Sequence, residues 1–313
     1  MSIYAITGGA GFIGSHLADA LLAAGHQVRI LDDLSTGRIE NLDPRCDFIR
    51  GDVCDAGLLR RALHGAAGCF HLAAIASVVR ANEDWVGTSR VNLGGTIAVF
   101  DAARAAGRIP TVYASSAAIY GPANGVAQED ATPAPITAYG ADKRASELHA
   151  RAGFLVHGLP TLGLRFFNVY GPRQDPNSPY SGVISIFAEA LRAGRPVLVF
   201  GDGLQTRDLV YVADVVAHLI AGMHHIAHHP GSLVLNVCTG RKTSVLAMAQ
   251  IIGTILGRQP AIQHQPARPG DIRHSLGSPA LAASVLGISA TTGLPDGLAA
   301  TLDSLINNAL LPA

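Results

Sequence analysis

The stretch Thr7-Gly8-Gly9-Ala10-Gly11-Phe12-Ile13-Gly14 constrains this chain more than any other. It follows a short apolar run, Ile3 to Ile6, and opens an amphipathic run, Phe12 to Ala24. The order strand, glycine turn, helix gives the pattern its meaning. Each glycine has its own physical task. Gly8 permits a sharp turn where a side chain would clash, Gly11 lets the backbone approach a pyrophosphate, and Gly14 lets the helix pack tightly on the strand. The free N–H groups and positive dipole end of the new helix favour a phosphate.

A chain of 313 residues suffices for one large domain or two closely joined ones. Apolar residues make up 49% and charged residues 15%, so a substantial core is available. Mean hydropathy is +0.29, much of it alanine. No run reaches the ~18 uninterrupted apolar residues of a membrane span. Met1-Ser2 leads straight into the first strand, so no signal peptide is expected and a cytoplasmic location follows. With 23 basic and 23 acidic residues and no basic stripe, nucleic acid is not the expected partner. Cys46, Cys54, Cys69 and Cys238 lack CxxC spacing and read as free thiols, not as a disulfide set or a zinc site.

Gln27 to Leu31 reads as a second strand with Asp32 and Asp33 at its end, Asp32 standing 18 residues after Gly14. An acidic residue there accepts hydrogen bonds from an adenosine ribose and repels a ribose phosphate, which favours NAD over NADP. Arg38 in the next loop is the counter-argument, and Asp33 reads equally as a solvated loop residue. Asp47 to Ile49 forms a third strand leading to Asp52 and Val53, which suit an adenine edge. Asp52 reads equally as the N-cap of a helix from Ala56 to Leu63. Cys69 to Ala74 is a fourth strand and its exit, where Leu72, Ala73 and Ala74 leave room for a cofactor across the strand tips. His71 reads as a hydrogen-bonded core histidine. Trp85 to Ala106 reads as one long helix in which Asn92 serves a buried hydrogen bond. Thr111 to Ala114 is a fifth strand, Tyr139 to Val156 a helix and Leu162 to Arg165 a sixth strand. Alternation of strand and helix predicts a doubly wound parallel sheet.

From Phe166 onward the chain turns polar and turn-rich, which predicts an excursion above the sheet. Val215 to Ile226 and Leu233 to Val237 return to the sheet as a helix and a seventh strand. The expected division is residues 1–168 with 208–240 for the dinucleotide, and residues 169–207 with 241–313 for a second ligand. His224, His225, His228 and His229 include two pairs at metal-ligand spacing. A helix C-terminus explains histidines there without any metal, and none is expected.

Tyr139 and Lys143 are four residues apart and so share a helix face. An ammonium beside a phenol favours the phenolate, a base usable near neutral pH. The pair follows Ser115-Ser116 at a strand exit by about twenty residues, downstream of the dinucleotide fingerprint.

The motifs TGGAGFIG, SSAAIYG, YGADK and LRFFNVYGPRQDP resemble those of extended short-chain dehydrogenase/reductases. More narrowly they resemble nucleotide-sugar epimerases of the UDP-glucose (or UDP-N-acetylglucosamine) 4-epimerase type, and the likeness continues through FGDGLQTRDLVYVADV to RPGD. The resemblance implies that Gly8, Gly11, Phe12, Ile13, Gly14 and Asp32 bind NAD, with Asp52 and Val53 near adenine. It implies that Tyr139 is the base, that Lys143 is its partner and a nicotinamide-ribose ligand, and that Ser116 bridges the sugar hydroxyl and Tyr139. Asn168, Arg207 and Arg268 would hold the substrate's diphosphate and Asp271 its ribose, a donor set suited to a dianion. Ser77, Val183, Val197, Phe200 and Ser275 complete the implied substrate pocket, Ser275 as gatekeeper beside the sugar 2-substituent. The implied reaction is epimerisation of a UDP-sugar by transient oxidation at its 4-position, in a homodimer. Ala117 and Ala118 stand where related dehydratases carry acids. Ala118 also removes a possible sugar contact. A reductase or a cofactor-sensing regulator on the same fold are the further alternatives.

Overall fold

The structure, a computed structural model, describes residues 1–122, 125–175, 182–267 and 272–310, apart from the side chains of residues 78, 79, 82, 182 and 307–310. Arg268 and Asp271 lie outside the described residues. Seven parallel strands form the central sheet: β1 (Ile3–Thr7), β2 (Gln27–Asp32), β3 (Asp47–Arg50), β4 (Gly68–His71), β5 (Thr111–Ser116), β6 (Thr161–Phe166) and β7 (Ser232–Val237). Their order is β7-β6-β5-β4-β1-β2-β3. Such a sheet is covered on both faces, so its strands carry apolar residues at successive positions. Ile6, Phe70 and Val112 point to one face, where they meet Leu17 and Leu21 of α1 (Phe12–Ala23). Their neighbours Ala5, Cys69 and Tyr113 point to the other, where they meet Leu59 and Leu63 of α2 (Ala56–Leu63). That second face also receives Val99 and Phe100 of α3 (Gly95–Ala105) and Ala150 of α4 (Ala138–His157). The first face receives Leu219 and Met223 of α5 (Val212–His228), which begins three residues earlier than its apolar periodicity suggests.

Beyond β6 the chain builds a smaller body. The strand Asn168–Tyr170 pairs with Leu209–Tyr211, Val197–Phe200 with Ile262–Gln265, and Thr206–Arg207 with Thr243–Ser244. Val199 of the strand Val197–Phe200 forms its core with Phe187, Leu191, Met248, Ile252, Leu298 and Leu302 of the helices Gly182–Arg192, Val245–Ile255 and Leu294–Leu310. Residues 280–290 depart from the expected division. Ala282, Val285, Leu286 and Ala290 pack on the α5 face of the sheet, because the helix Ala280–Leu286 lies against α5 and β7.

Two local expectations are corrected. Asp55, not Asp52, caps α2, its carboxylate accepting the Gly57 and Leu58 N–H groups. Both residues are aspartate, and only the one immediately before the first helical residue has the reach. The run from Trp85 is not one α-helix. Trp85–Ser89, a π turn over Arg90–Gly94 and α3 follow one another. A π turn widens the helix by one residue and is frequent at functional sites. Here it carries Asn92, fully buried, whose side-chain oxygen accepts the Ile75 N–H at 2.8 Å and whose amide donates to the Ile75 carbonyl.

One buried ion pair ties four elements together. Arg165 on β6 donates from Nε and Nη2 to the two carboxylate oxygens of Glu147 on α4, at 2.8 and 2.9 Å, with each side chain only 2% exposed. Arg165 Nη1 also donates to the Tyr120 hydroxyl and the Glu129 carbonyl, and the Tyr120 hydroxyl donates to Asn236 on β7. Ser115 on β5 donates to Glu147 at 2.6 Å. Replacing Arg165→Met leaves the buried Glu147 carboxylate with only the partly exposed Arg144, at 3.0 Å, as a cation, so denaturant unfolding is expected to show a loss toward the lower end of about 3–5 kcal/mol. A loss below about 1 kcal/mol, the range of surface pairs, would show that the pair does not brace these elements.

Candidate active site

The site lies at the carboxyl ends of the strands, where β1 and β4 separate the two halves of the sheet. That switch point is where open α/β sheets bind ligands. Gly8 turns there with φ +72°, and a Cβ on it would come 2.5 Å from the Ala73 nitrogen. A Cβ on Gly14 would stand 2.2 Å from the Gly8 carbonyl oxygen, so the helix can lie this close to the turn only with glycine. At Gly11 a Cβ would meet only the Gly8 oxygen, at 3.3 Å, within a 4 Å radius, leaving a shallow cradle. Gly11 starts α1 with no side-chain cap, so the Phe12 and Ile13 N–H groups suit an anion.

Asp32, buried at the tip of β2, accepts the Ala10 N–H at 2.9 Å through one oxygen and the Leu34 N–H at 2.9 Å through the other. Burial pushes its carboxyl up, while those two N–H donors pull it down. Asp33 is exposed and accepts the Ser35 N–H. Asp52 accepts the Cys54 N–H and pairs with Arg90 at 2.9 Å, beside the buried Val53. These residues, with Leu72, Ala73 and Ala74 at the β4 exit, line the expected cofactor crevice. The cradle, the uncapped helix start and a carboxylate at the second strand tip fit a dinucleotide without a ribose phosphate.

His71 is a core histidine wired to that crevice. The Thr96 hydroxyl spends its proton on the Asn92 carbonyl at 2.6 Å, so it must accept from His71 Nε2–H at 2.9 Å. Nδ1 is therefore bare and accepts the Thr7 hydroxyl at 2.7 Å. Burial, then the Lys143 charge, push this imidazole down to about 3, so it remains neutral. Thr7, His71, Thr96, Asn92 and Ile75 thus form one chain beneath the turn that begins at Gly8. Sequence reasoning assigned no role to Thr7 or Thr96, which stand 89 residues apart.

Tyr139 and Lys143 stand on the first turns of α4. The ammonium lies 5.8 Å from the Tyr139 ring centroid and donates to the Ala114 carbonyl of β5 at 2.8 Å. Ser116 ends the same strand, two residues on, and its hydroxyl accepts the Ala118 N–H. A Cβ on Gly140 would come 2.7 Å from the Ala118 carbonyl oxygen, so glycine after Tyr139 lets the helix start nest on the serine loop. The two serines are divided by the pleat: Ser115 is buried against Glu147, while Ser116 is half-exposed. Burial brings Lys143 down to about 8, against which the negative charge of Asp142 works. A phenol, an ammonium and a hydroxyl so arranged can take up and return one proton.

The expected substrate residues fall around the smaller body. The Asn168 N–H donates to the Asp208 carbonyl, and Asp208, buried, accepts the Thr239, Gly240 and Gly277 N–H groups. Arg207 donates to the Ile272 carbonyl at 2.7 Å and the Thr206 carbonyl at 3.0 Å. Ser275, half-buried, donates its N–H to the Thr206 carbonyl, so Arg207 and Ser275 are neighbours. Ser77 caps the helix Val78–Glu83 by accepting the Arg80 N–H. Val183 packs half-buried on the smaller body's core and Phe200 is half-exposed. Val197 is sealed in that core, so only its backbone can face a ligand. The His224–His228 and His225–His229 rings lie 4.4 and 5.0 Å apart, and His228 Nδ1 donates to the His224 carbonyl. Among the described residues no group of three or more His, Cys, Asp or Glu is placed to hold a metal, and no helix is long and apolar enough to cross a membrane.

The NAD dependent epimerase/dehydratase family matches residues 4–238. The chain belongs to that family. It is 40% identical over 313 residues to a UDP-glucose 4-epimerase of Mycolicibacterium smegmatis, covering 96% of this chain and 98% of the relative. The solved UDP-glucose 4-epimerase of Thermotoga maritima with UDP-glucose superimposes with a TM-score of 0.91 at 34% identity, over 99% of this chain and 100% of that one. A UDP-N-acetylglucosamine 4-epimerase of Methanobrevibacter ruminantium, in complex with UDP-N-acetylmuramic acid, gives a TM-score of 0.91 at 32% identity over 98% of both chains. Other activities occur among relatives: a dTDP-glucose 4,6-dehydratase of Streptomyces niveus is 32% identical over 95% of this chain and 91% of that protein. The protein is an NAD-dependent enzyme of the epimerase/dehydratase family.

Proposed function

We propose that the enzyme interconverts UDP-glucose and UDP-galactose by inversion at the sugar 4-position, and accepts the corresponding N-acetylhexosamines. The observation that carries this reading is the convergence of Tyr139, Lys143 and Ser116 on the tip of β5, beside the dinucleotide turn. Bound NAD supplies a reversible hydride acceptor. Gly8, Gly11, Phe12, Ile13 and Asp32 would hold it, with Asp52 and Val53 at its adenine and Lys143 at its nicotinamide ribose. Tyr139 as phenolate takes the proton of the sugar 4-hydroxyl, with Ser116 bridging the two, while the C4 hydride would leave to the cofactor; once the keto sugar has turned, the hydride would come back to the other face of C4 and Tyr139 returns the proton to the 4-oxygen. The Lys143 ammonium stabilises that phenolate. Asn168, Arg207 and Arg268 grip the diphosphate so that the sugar can turn while the nucleotide stays. In this reading residues 1–168 and 208–240 carry the cofactor, and the smaller body with residues 169–207 and 241–313 carries the nucleotide sugar, except that residues 280–290 serve the sheet.

The enzyme is further proposed to pair with a second copy through α3 and α4. Their outer face presents Ile97, Leu148, Leu155 and Val156, the last two more than two-thirds exposed. Light scattering at micromolar concentration should therefore read about twice the chain mass of 32.4 kDa. A single-chain mass would refute the pairing.

Tyr139→Phe is expected to lower turnover of UDP-galactose by about a hundredfold to ten-thousandfold with NAD content unchanged, since general base catalysis contributes roughly 10²–10⁴ and Tyr139 is the acceptor. Epimerisation at the wild-type rate would remove Tyr139 from the mechanism.

Ser275→Tyr places a ring beside Arg207 where an acetamido group needs space, and packed sites yield little. UDP-N-acetylglucosamine turnover should fall by about tenfold or more while UDP-glucose turnover holds. Equal effects on both sugars would show that Ser275 does not gate the pocket.

A further inference from the structure

Asp142 immediately precedes Lys143 and is 6% exposed. A carboxylate is rarely buried so fully without a cation bonded to it. Its partner is neutral: the Ser89 hydroxyl donates to both its oxygens, at 3.0 Å each. Adjacent helical residues point about 100° apart. Lys143 accordingly reaches the β5 tip, while Asp142 reaches the segment Trp85–Ser89 that leads into the π turn. The two opposite charges are both buried and do not touch, so they act on each other through a poorly screening interior.

The other groups around the lysine carry little charge or lie elsewhere. Tyr139 is on its own helix, His71 on β4 is neutral, and β5 offers the Ala114 carbonyl. Glu147, one turn further along the same helix face, is spent on Arg165 of β6, on Arg144 of its own helix and on Ser115 of β5. Arg80, Glu83, Asp84 and Arg90 on the helical segments near Asp142, and Asp101 and Arg104 on α3, are exposed to solvent. Asp142 is therefore the buried carboxylate that Lys143 feels, and each is the Coulombic neighbour of the other.

We propose that Asp142 is a positioning residue for Lys143: its buried carboxylate, moored on Ser89, holds the lysine in the ammonium form that the Tyr139 phenolate requires. The proposal rests on the reading of Tyr139 and Lys143 as the working pair, and extends it to a residue that touches neither substrate nor cofactor. It also gives the direction of the pH effect. Burial brings Lys143 down to about 8, and the ammonium is lost as pH rises through that value. Without the Asp142 charge the loss must come at lower pH.

The composition makes a direct test available. The chain has two lysines, Lys143 and the exposed Lys242. Protein labelled with ¹³C at lysine Cε gives two resonances, and Lys242→Arg assigns them. Lys143 should titrate near 8 in the wild type. In Asp142→Asn it should titrate lower by about one unit, the lower end for loss of a nearby opposite charge, with Lys242 unmoved. Asp142→Glu should restore most of the shift. Ser89→Ala, which keeps the charge and removes the mooring, should move it less than Asp142→Asn does. The alkaline limb of kcat/KM should follow the Lys143 titration across the series. A Lys143 titration in Asp142→Asn that overlays the wild type would overturn the proposal, whatever happens to stability. Should Asp142→Asn not fold, Asp142→Ser keeps a polar partner for Ser89 and is read the same way. The NMR titration needs no turnover, so a failure of every nucleotide sugar to react would sink the functional reading and leave the coupling result to stand or fall alone.

Discussion

The site depends on the pairing of Arg165 with Glu147. Burial of apolar side chains, roughly 1.5–3 kcal/mol for each large one, drives this sheet and its helices together. It does not say how far along the sheet a helix must sit. The ion pair does, because a bidentate guanidinium–carboxylate contact tolerates little sliding. Glu147 lies one turn beyond Lys143 and two beyond Tyr139 on the same helix face. Fixing Glu147 against β6, and against Ser115 on β5, fixes where those two side chains meet the strand tips. A buried pair of this kind is weak evidence for net stability, and its value here lies in the alignment it imposes.

The same helix shows how the electrostatics of the site are arranged. Its first turns carry a buried cation, Lys143, and a buried anion, Asp142, directed to different neighbours. A neutral histidine sits close enough for the lysine charge to act on it, and its tautomer is dictated by Thr96 and Thr7 on either side. A protonated imidazole in that place would add a second positive charge next to the one the reading requires. Keeping it neutral leaves Lys143 as the cation beside Tyr139. The hydrogen-bond chain from Thr7 to Ile75 also links the turn at Gly8 to the π turn at Asn92, so the cofactor crevice is held from below on both sides.

Much of this was legible in the sequence. The glycine turn, the alternation of strand and helix, and the four-residue step from Tyr139 to Lys143 are local patterns, and local patterns survive without the fold. Alternation plus right-handed crossovers gives a doubly wound parallel sheet, while the order of its seven strands came from the structure. What was misread was also local but finely balanced. Two aspartates, Asp52 and Asp55, could each cap α2, and a one-residue π insertion in the run from Trp85 leaves hydrophobic periodicity nearly unchanged. The placement of Ala280–Leu286 on the sheet had no sequence signal, since a short apolar helix fits either core.

The sequence by itself determined the doubly wound sheet, the dinucleotide turn and the pairing of Tyr139 with Lys143, because each is set by residues within a turn or two of one another. Only the tertiary structure decided that Ser115 would brace the helix while Ser116 stays partly exposed, that Arg165 would meet Glu147, and that Asp142 would be buried on Ser89. Those outcomes join residues 18 to 53 positions apart across elements whose packing creates the low-dielectric surroundings. A charge acquires its meaning from what surrounds it, and the surroundings exist only once the chain is folded.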